Sequence, residues 1–311
     1  MSTVVWQPLP PNGDSHHWTR VLRLHASAAS QIITCDLEVV AVSELGNNIS
    51  YEAISYRWGD PTTLETIICN HAPVKISRNL MSALRSLRSE QRDRVLWADS
   101  RYINQNDEDE KANQVARFGL VFSCASRVMI WLGDGSDGTS DGFPTLQKLA
   151  LLNDESDMTG WRPRTEATEN DRRALCRLIG NEYFERLWVI QEIVKARDAV
   201  LRCGDAELPS GVFDSGMSYF YDTVGEPLTH PNIQSVMTTI ALRHSKGTPL
   251  MLSPLLYNLR SQQMTDSLDK IFAVIGLLSP DGIPPSDELI PNYRVDVCSS
   301  YTQAAYHCLR E

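Results

Sequence analysis

Three separated segments hold the side chains best able to do chemistry, and each sets a charged group beside an aromatic ring. The first is YEAISYRWGD at 51–60, which presents Ser55, Tyr56, Arg57, Trp58 and Gly59 in succession. Arg57 can meet a phosphate or carboxylate through its planar fork, and Trp58 can stack on a ring. Gly59 permits a tight bend between them and Asp60. The plainer alternative buries Trp58 in the core and holds Arg57 on Asp60. The second segment, LWADSRYINQNDEDE at 96–110, offers Asp99 as an acceptor and the amides of Asn104 and Gln105. Asp99 either accepts a hydrogen bond from a ribose hydroxyl or ties down its own loop.

The third segment, YFERLWVIQEIVKA at 183–196, places Glu192 one helical turn after Trp188. A partly buried glutamate beside an indole has a raised pKa and suits proton transfer. An ionised one stabilises a developing cation or holds a sugar hydroxyl. Otherwise Glu192 is a structural carboxylate paired with Arg186 or Lys195. The carboxylates at 107–110 complement a positive helix start and diverge from one another, so no metal centre is expected.

Fingerprints for dinucleotides, P-loops, zinc proteases and serine hydrolases are absent from the sequence. A net charge of -10 opposes non-specific binding to nucleic acid or anionic membrane. The seven cysteines are an odd number without a Cys-x-x-Cys pair, which reads as free thiols in a reducing compartment. Cys69 and His71 are neighbours, but they flank a turn with no activating arrangement evident. The N-terminus lacks the basic and apolar regions of a secretory signal, and no apolar run approaches the ~20 residues needed to span a bilayer. The implied compartment is the cytoplasm.

The elements that must position these groups follow from periodicity and turn signals. Residues 1–18 read as a Pro-rich arm, and 19–25, 36–42 and 51–56 read as strands. A hairpin about Asn70-His71-Ala72 follows, then a helix over 78–89 capped by Ser77. A strand at 94–98 delivers Asp99. Asp107 and Glu110 have capping-box spacing at the head of a helix over 108–123, and 127–132 is another buried strand. Strands alternating with helices imply an α/β layered sheet. DGSDGTSDG then reads as a surface loop. Helices are expected over 143–152, 171–180, 182–196, 231–244, 250–260 and 269–278, with another at the C-terminus. Asp266 is placed to cap, and Asp269 to pair with an arginine. The end has no C-cap glycine, which suggests a domain excised from a longer protein.

Taken in order, YEAISYRWG, LWADSRYINQNDEDEKANQV, RVMIWLG, FERLWVIQEI and TDSLDKIFAVIGL closely resemble the fungal heterokaryon incompatibility (HET) domain family. The likeness covers about 50–280 within a domain of 19–311, and PNYRVDV near 291–297 is also similar. It departs at Ser100-Arg101-Tyr102, where the family more often has small residues and a cysteine. The resemblance implies fungal non-self recognition and regulated cell death. A more distant likeness to Toll/interleukin-1 receptor (TIR) domains implies a TIR-like or flavodoxin-like sheet flanked by helices, with extra N-terminal strands and C-terminal helices. By that likeness Glu192 is the catalytic glutamate of an NAD+ glycohydrolase, with Arg57, Trp58 and Asp99 in the pocket, and the placement of the motifs adds Ser55, Tyr56, Gly59, Asn104 and Trp188 around the substrate. NAD+ is then a substrate and no cofactor is needed. The alternative is a non-enzymatic domain that signals as a homo-oligomer or with an activating protein.

Overall fold

The structure is a computed structural model that describes residues 9–10, 17–99, 107–159, 167–223, 230–245, 248, 250–278 and 289–311. Its centre is a nine-stranded mixed sheet. The strands are β1 (Trp18–Leu24), β2 (Thr34–Ala41), β3 (Glu52–Tyr56), β4 (Leu64–Cys69), β5 (Ala72–Ser77), β6 (Arg94–Trp97), β7 (Arg127–Trp131), β8 (Ala199–Cys203) and β9 (Ala206–Pro209). They lie side by side as β5-β4-β2-β1-β6-β3-β7-β8-β9. Strands β6, β3, β7 and β8 run parallel, whereas β1 is antiparallel to β6 and β9 to β8.

In chain order the four parallel strands stand second, first, third, fourth, as a flavodoxin-like sheet begins. Their apolar runs are continuous because both faces are covered. Ala53, Val128 and Ile130 face a large helical layer, while Ile54, Tyr56, Met129 and Trp131 face a smaller one. The smaller layer is α1 (Arg78–Leu87), capped by Ser77 Oγ on Leu80 N–H at 3.3 Å, which buries Leu80, Met81, Leu84 and Leu87. Two left-handed residues, Asn70 (φ 48) and His71 (φ 62), make the β4–β5 turn, a backbone fitted to the twist of a two-residue hairpin.

The larger layer departs from the sequence expectation in two places. Instead of one helix over 108–123 there are two, α2 (Glu108–Val115) and α3 (Phe118–Cys124). The break at Ala116-Arg117 comes where the helix docks on β1: Gln114 Nε2 donates to Trp18 O at 2.6 Å, and Arg117 Nη2 lies 2.8 Å from His17 Nε2. It also turns Phe118 and Phe122 onto Trp97, with ring centroids at 5.4 and 5.5 Å. Asp107 caps α2, but Glu110 does not close the box, because its carboxylate is bonded to Arg20 of β1 at 2.6 Å.

The second departure is at 182–196. A 3-10 turn (Glu182–Glu185) precedes α6 (Trp188–Lys195), since Arg186 bridges Gln263 and Leu187 N–H donates to Gln263 O at 3.0 Å. Before it lie α4 (Gly142–Thr159) and α5 (Glu169–Ile179). The supposed loop after β7 contains a further 3-10 turn (Thr139–Asp141) with Thr139 buried. After it the β8–β9 hairpin and α7 (Ser210–Thr223) were not anticipated from the sequence. Helices α8 (Ile233–His244), α9 (Leu252–Asn258), α10 (Asp269–Ile275) and α11 (Val297–Cys308) complete the fold. No helix among the described residues is long and apolar enough to cross a membrane.

Removing one partner of a buried pair is far costlier than losing an exposed one. The Arg20 side chain is 1% exposed and Glu110 is 10% exposed, whereas Arg23 and Glu38 are 40% and 38% exposed. Glu110→Ala is therefore expected to cost about 3 kcal/mol in urea unfolding, and Glu38→Ala less than about 1 kcal/mol.

Candidate functional site

The crossover from β3 to β6 carries α1 on one face of the sheet, and the crossover from β6 to β7 carries α2 and α3 on the other. Chains leaving in opposite directions open a crevice outside the carboxyl ends of β3 and β7. A cleft of about 430 Å³ lies there, walled by Arg57, Gly59, Asn79, Trp131, Asn181 and Tyr183 among others. Small-molecule sites commonly span roughly 300–1,000 Å³. Gly59 turns with φ 77, a conformation that disfavours any side chain. Asn79 pins the wall, donating from Nδ2 to Arg57 O at 2.6 Å and accepting from Trp131 Nε1 at 3.0 Å. Arg57 pairs with Glu182, not with Asp60, which accepts from Thr62 instead.

Directly behind the cleft wall is a buried chain of hydroxyls ending in a carboxyl. Alternation along β3 sends Ser55 toward the larger layer, where α6 presents Glu192. Ser55 Oγ donates to Glu192 Oε2 and lies 2.5 Å from the hydroxyl of Tyr183. The single Ser55 proton is used on the carboxylate, so Tyr183 donates to Ser55 when Glu192 is ionised. Glu192 is 2% exposed, and its Oε1 finds no hydrogen-bond partner among the described residues. Burial pushes its pKa up to about 7, against the lowering effect of Arg186, with Asp99 raising it and Ser55 lowering it. Burial, reinforced by Glu192, raises the Tyr183 phenol, which therefore stays a donor. The set can store, release and relay a proton near neutral pH.

Beside this chain Trp58 donates its indole N–H to both oxygens of Asp99 at 2.8 Å. The Trp58 ring is not in the core but 41% exposed. Arg186 Nη2 stands 3.9 Å from Asp99, and its Nη1 donates to Tyr56 O. The bridge to Gln263 that ends the 3-10 turn is what aims Arg186 at this corner. Tyr56 offers its carbonyl here, while its ring packs in the opposite layer.

Of the residues singled out in the sequence, Ser55, Tyr56, Arg57, Trp58, Gly59, Asp99 and Glu192 gather around the end of β3. Asn104 lies outside the described residues. Trp188 is not in the cleft wall: it tilts against Phe118 at 5.2 Å and donates to Asp269 Oδ2 at 3.0 Å. Asp269 also accepts from Tyr293 at 2.7 Å, so its close partners are these two donors and not the arginine expected. Tyr183, Asn79 and Glu182 were missed. Tyr183 opens the third segment and Glu182 precedes it, but nothing local in the sequence ties Asn79 to the site. Among the described residues no group of three or more His, Cys, Asp and Glu side chains is arranged to hold a metal ion.

Residues 51–192 match the family described as heterokaryon incompatibility protein (HET). The chain is also similar to the heterokaryon incompatibility protein 6, OR allele, of Neurospora crassa, at 27% identity over 60% of this chain and 33% of the relative. It thus spans about a third of that relative's length. No solved structure matches the chain.

The raised Glu192 carboxyl has a signed consequence for stability. The folded protein keeps a proton that the unfolded chain gives up, so stability falls as pH rises from 4.5 to about 7 and levels off above. Glu192→Gln removes this contribution, at most about 3 kcal/mol. Urea unfolding at pH 5 and pH 8 should show the variant losing less stability across that interval than the wild type. Equal losses would mean that Glu192 does not titrate there.

Proposed function

We propose that this chain, whose residues 51–192 match the heterokaryon incompatibility (HET) family, serves fungal non-self recognition and executes cell death by cleaving the nicotinamide–ribose bond of NAD+. The observation that carries the chemical part is the buried Glu192, with one carboxyl oxygen unpartnered among the described residues and a pKa of about 7, linked through Ser55 to a tyrosine in the cleft wall. The implied kinship with TIR domains belongs to the same proposal.

Rupture of this bond leaves nicotinamide as a neutral leaving group and develops oxocarbenium character on the ribose. What the reaction needs is a nearby negative charge, more than a general acid. Glu192 supplies the charge once ionised. The C1′–N bond breaks with its electron pair going to nicotinamide, and a water oxygen bonds to C1′. The proton released by that water enters the Tyr183–Ser55 chain and reaches Glu192. Since Glu192 sits behind the wall, Tyr183 is the member that meets the ribose.

Arg57 is suited to the diphosphate, because its exposed pairing with Glu182 is worth less than about 1 kcal/mol and is readily exchanged. Trp58 has an open ring face for stacking, and Asp99 fixes that ring while holding Arg186 close. With purified chain and NAD+, nicotinamide release should fall about a hundredfold or more in Glu192→Gln and in Tyr183→Phe. Undiminished release by Glu192→Gln would remove that residue from the chemistry. Absence of release by correctly folded, assembled protein would remove the reaction.

A second reading, signalling by assembly, draws on Trp58. An indole 41% exposed yet fixed by two contacts to Asp99 has the form of an interface anchor. Sedimentation over a wide concentration range, alone and with candidate activating proteins, tests it. Association lost in Trp58→Ala supports this reading, and a monomer under every condition refutes it.

A further inference from the structure

Far from the cleft, the sheet contains a seam that brings two thiols together. Strands β2 and β4 pair in parallel over two residue pairs, Thr34 with Ile68 and Cys35 with Cys69. Directly opposed residues on neighbouring strands have Cα atoms about 5 Å apart, within the separation a disulfide bridges. Both side chains point into the smaller layer, where Cys35 is 2% exposed and Cys69 is partly exposed. Cys35 Sγ donates to Ile68 O at 3.6 Å, and the strand register sets Cys35 directly opposite Cys69.

We propose that Cys35 and Cys69 form a reversible dithiol switch for a hydroperoxide oxidant, with the accessible Cys69 as the attacking sulfur and the buried Cys35 as the resolving one. The electrostatics run the same way. The Cys35 hydrogen bond lowers the Cys69 pKa, aided by the Leu37 backbone N–H and opposed by burial and Asp36. The same bond, with burial, raises Cys35. A partly exposed thiol with a lowered pKa beside a buried thiol is the arrangement found at redox-sensing cysteines.

In the first step the Cys69 sulfur attacks the peroxide, forming S–O as O–O breaks. Cys69 becomes a sulfenic acid, and the departing hydroxide leaves as water after protonation. In the second step the Cys35 sulfur attacks Cys69, forming S–S as S–O breaks, and its proton leaves with the hydroxyl as water. Two thiols and one hydrogen peroxide give one disulfide and two waters. An external thiol reductant reverses the change.

The bond would fasten the β4–β5 hairpin to β2, where the ladder is two residue pairs long. The open end of that hairpin joins the turn after Gly59 to the helix bearing Asn79, whereas the seam lies at its turn end, beside Asn70-His71. The switch does not depend on what the cleft does.

The test uses the whole reduced chain, a few equivalents of hydrogen peroxide, alkylation with N-ethylmaleimide and non-reducing peptide mass mapping. Free thiols should fall from seven to five, with a peptide pair joining Cys35 to Cys69 and full reversal by dithiothreitol. In Cys35→Ser, dimedone should trap sulfenic acid at Cys69 ahead of the exposed Cys298. In Cys69→Ser, Cys35 should remain unmodified at the same dose. Oxidation of Cys298 before Cys69, or failure to find the linked pair, overturns the proposal. Nicotinamide release is not the readout, so failure here leaves the reading of Glu192 unaffected.

Discussion

Moving an ionisable carboxyl out of water costs several kcal/mol unless partners replace the lost solvent, and the region around Glu192 is organised by that cost. The partners supplied are incomplete: one hydroxyl on Oε2, a guanidinium near enough to act by charge, and nothing on Oε1 among the described residues. A fully satisfied carboxylate would sit quietly ionised. This one instead stands near neutrality, because the desolvation is only partly offset. Ser55 must therefore face the larger layer, Tyr183 must reach it from the 3-10 turn, and the helix must start late enough for Arg186 to turn aside.

The same accounting separates Glu192 from other buried charges. Glu110 takes a direct bond from Arg20, and Asp214 lies 3.2 Å from Arg243. Asp269 is bonded by an indole and a phenol. Those groups join β1 to α2, α7 to α8, and α6 to the C-terminal segment, so their role is to fix elements against one another. Glu192 fixes little of that kind and lies at the switch point of the sheet. The difference in partners, more than the burial itself, is what sets Glu192 apart from these structural carboxyls.

Much of the fold was legible in the sequence. YEAISY, RVLWA and RVMIWL read as strands because compact apolar runs bounded by turn residues suit a sheet covered on both faces. Ser77 and Asp107 cap as their types suggest. The errors came where distant residues override local preference. The 108–123 helix is broken where it docks on β1, and the 182–196 helix is shortened by Gln263. The capping box is undone by Arg20. The β8–β9 hairpin, around Gly204-Asp205, carried a usable turn signal that went unread.

For the site, residue types and spacing determined that Ser55, Arg57, Trp58, Asp99 and Glu192 were worth attention, since chemistry-bearing groups flanked strand ends and a helix. They could not determine which groups bond to which. Ser55 is 128 positions from Tyr183 and 137 from Glu192, and only packing brings the three together. Trp188 shows the converse: helical spacing puts it one turn from Glu192, yet its partners are Phe118 and Asp269. Local preferences are written along the chain, so elements and caps can be read there. Burial, and with it the protonation of Glu192, belongs to the assembled layers, and only the tertiary structure decides it.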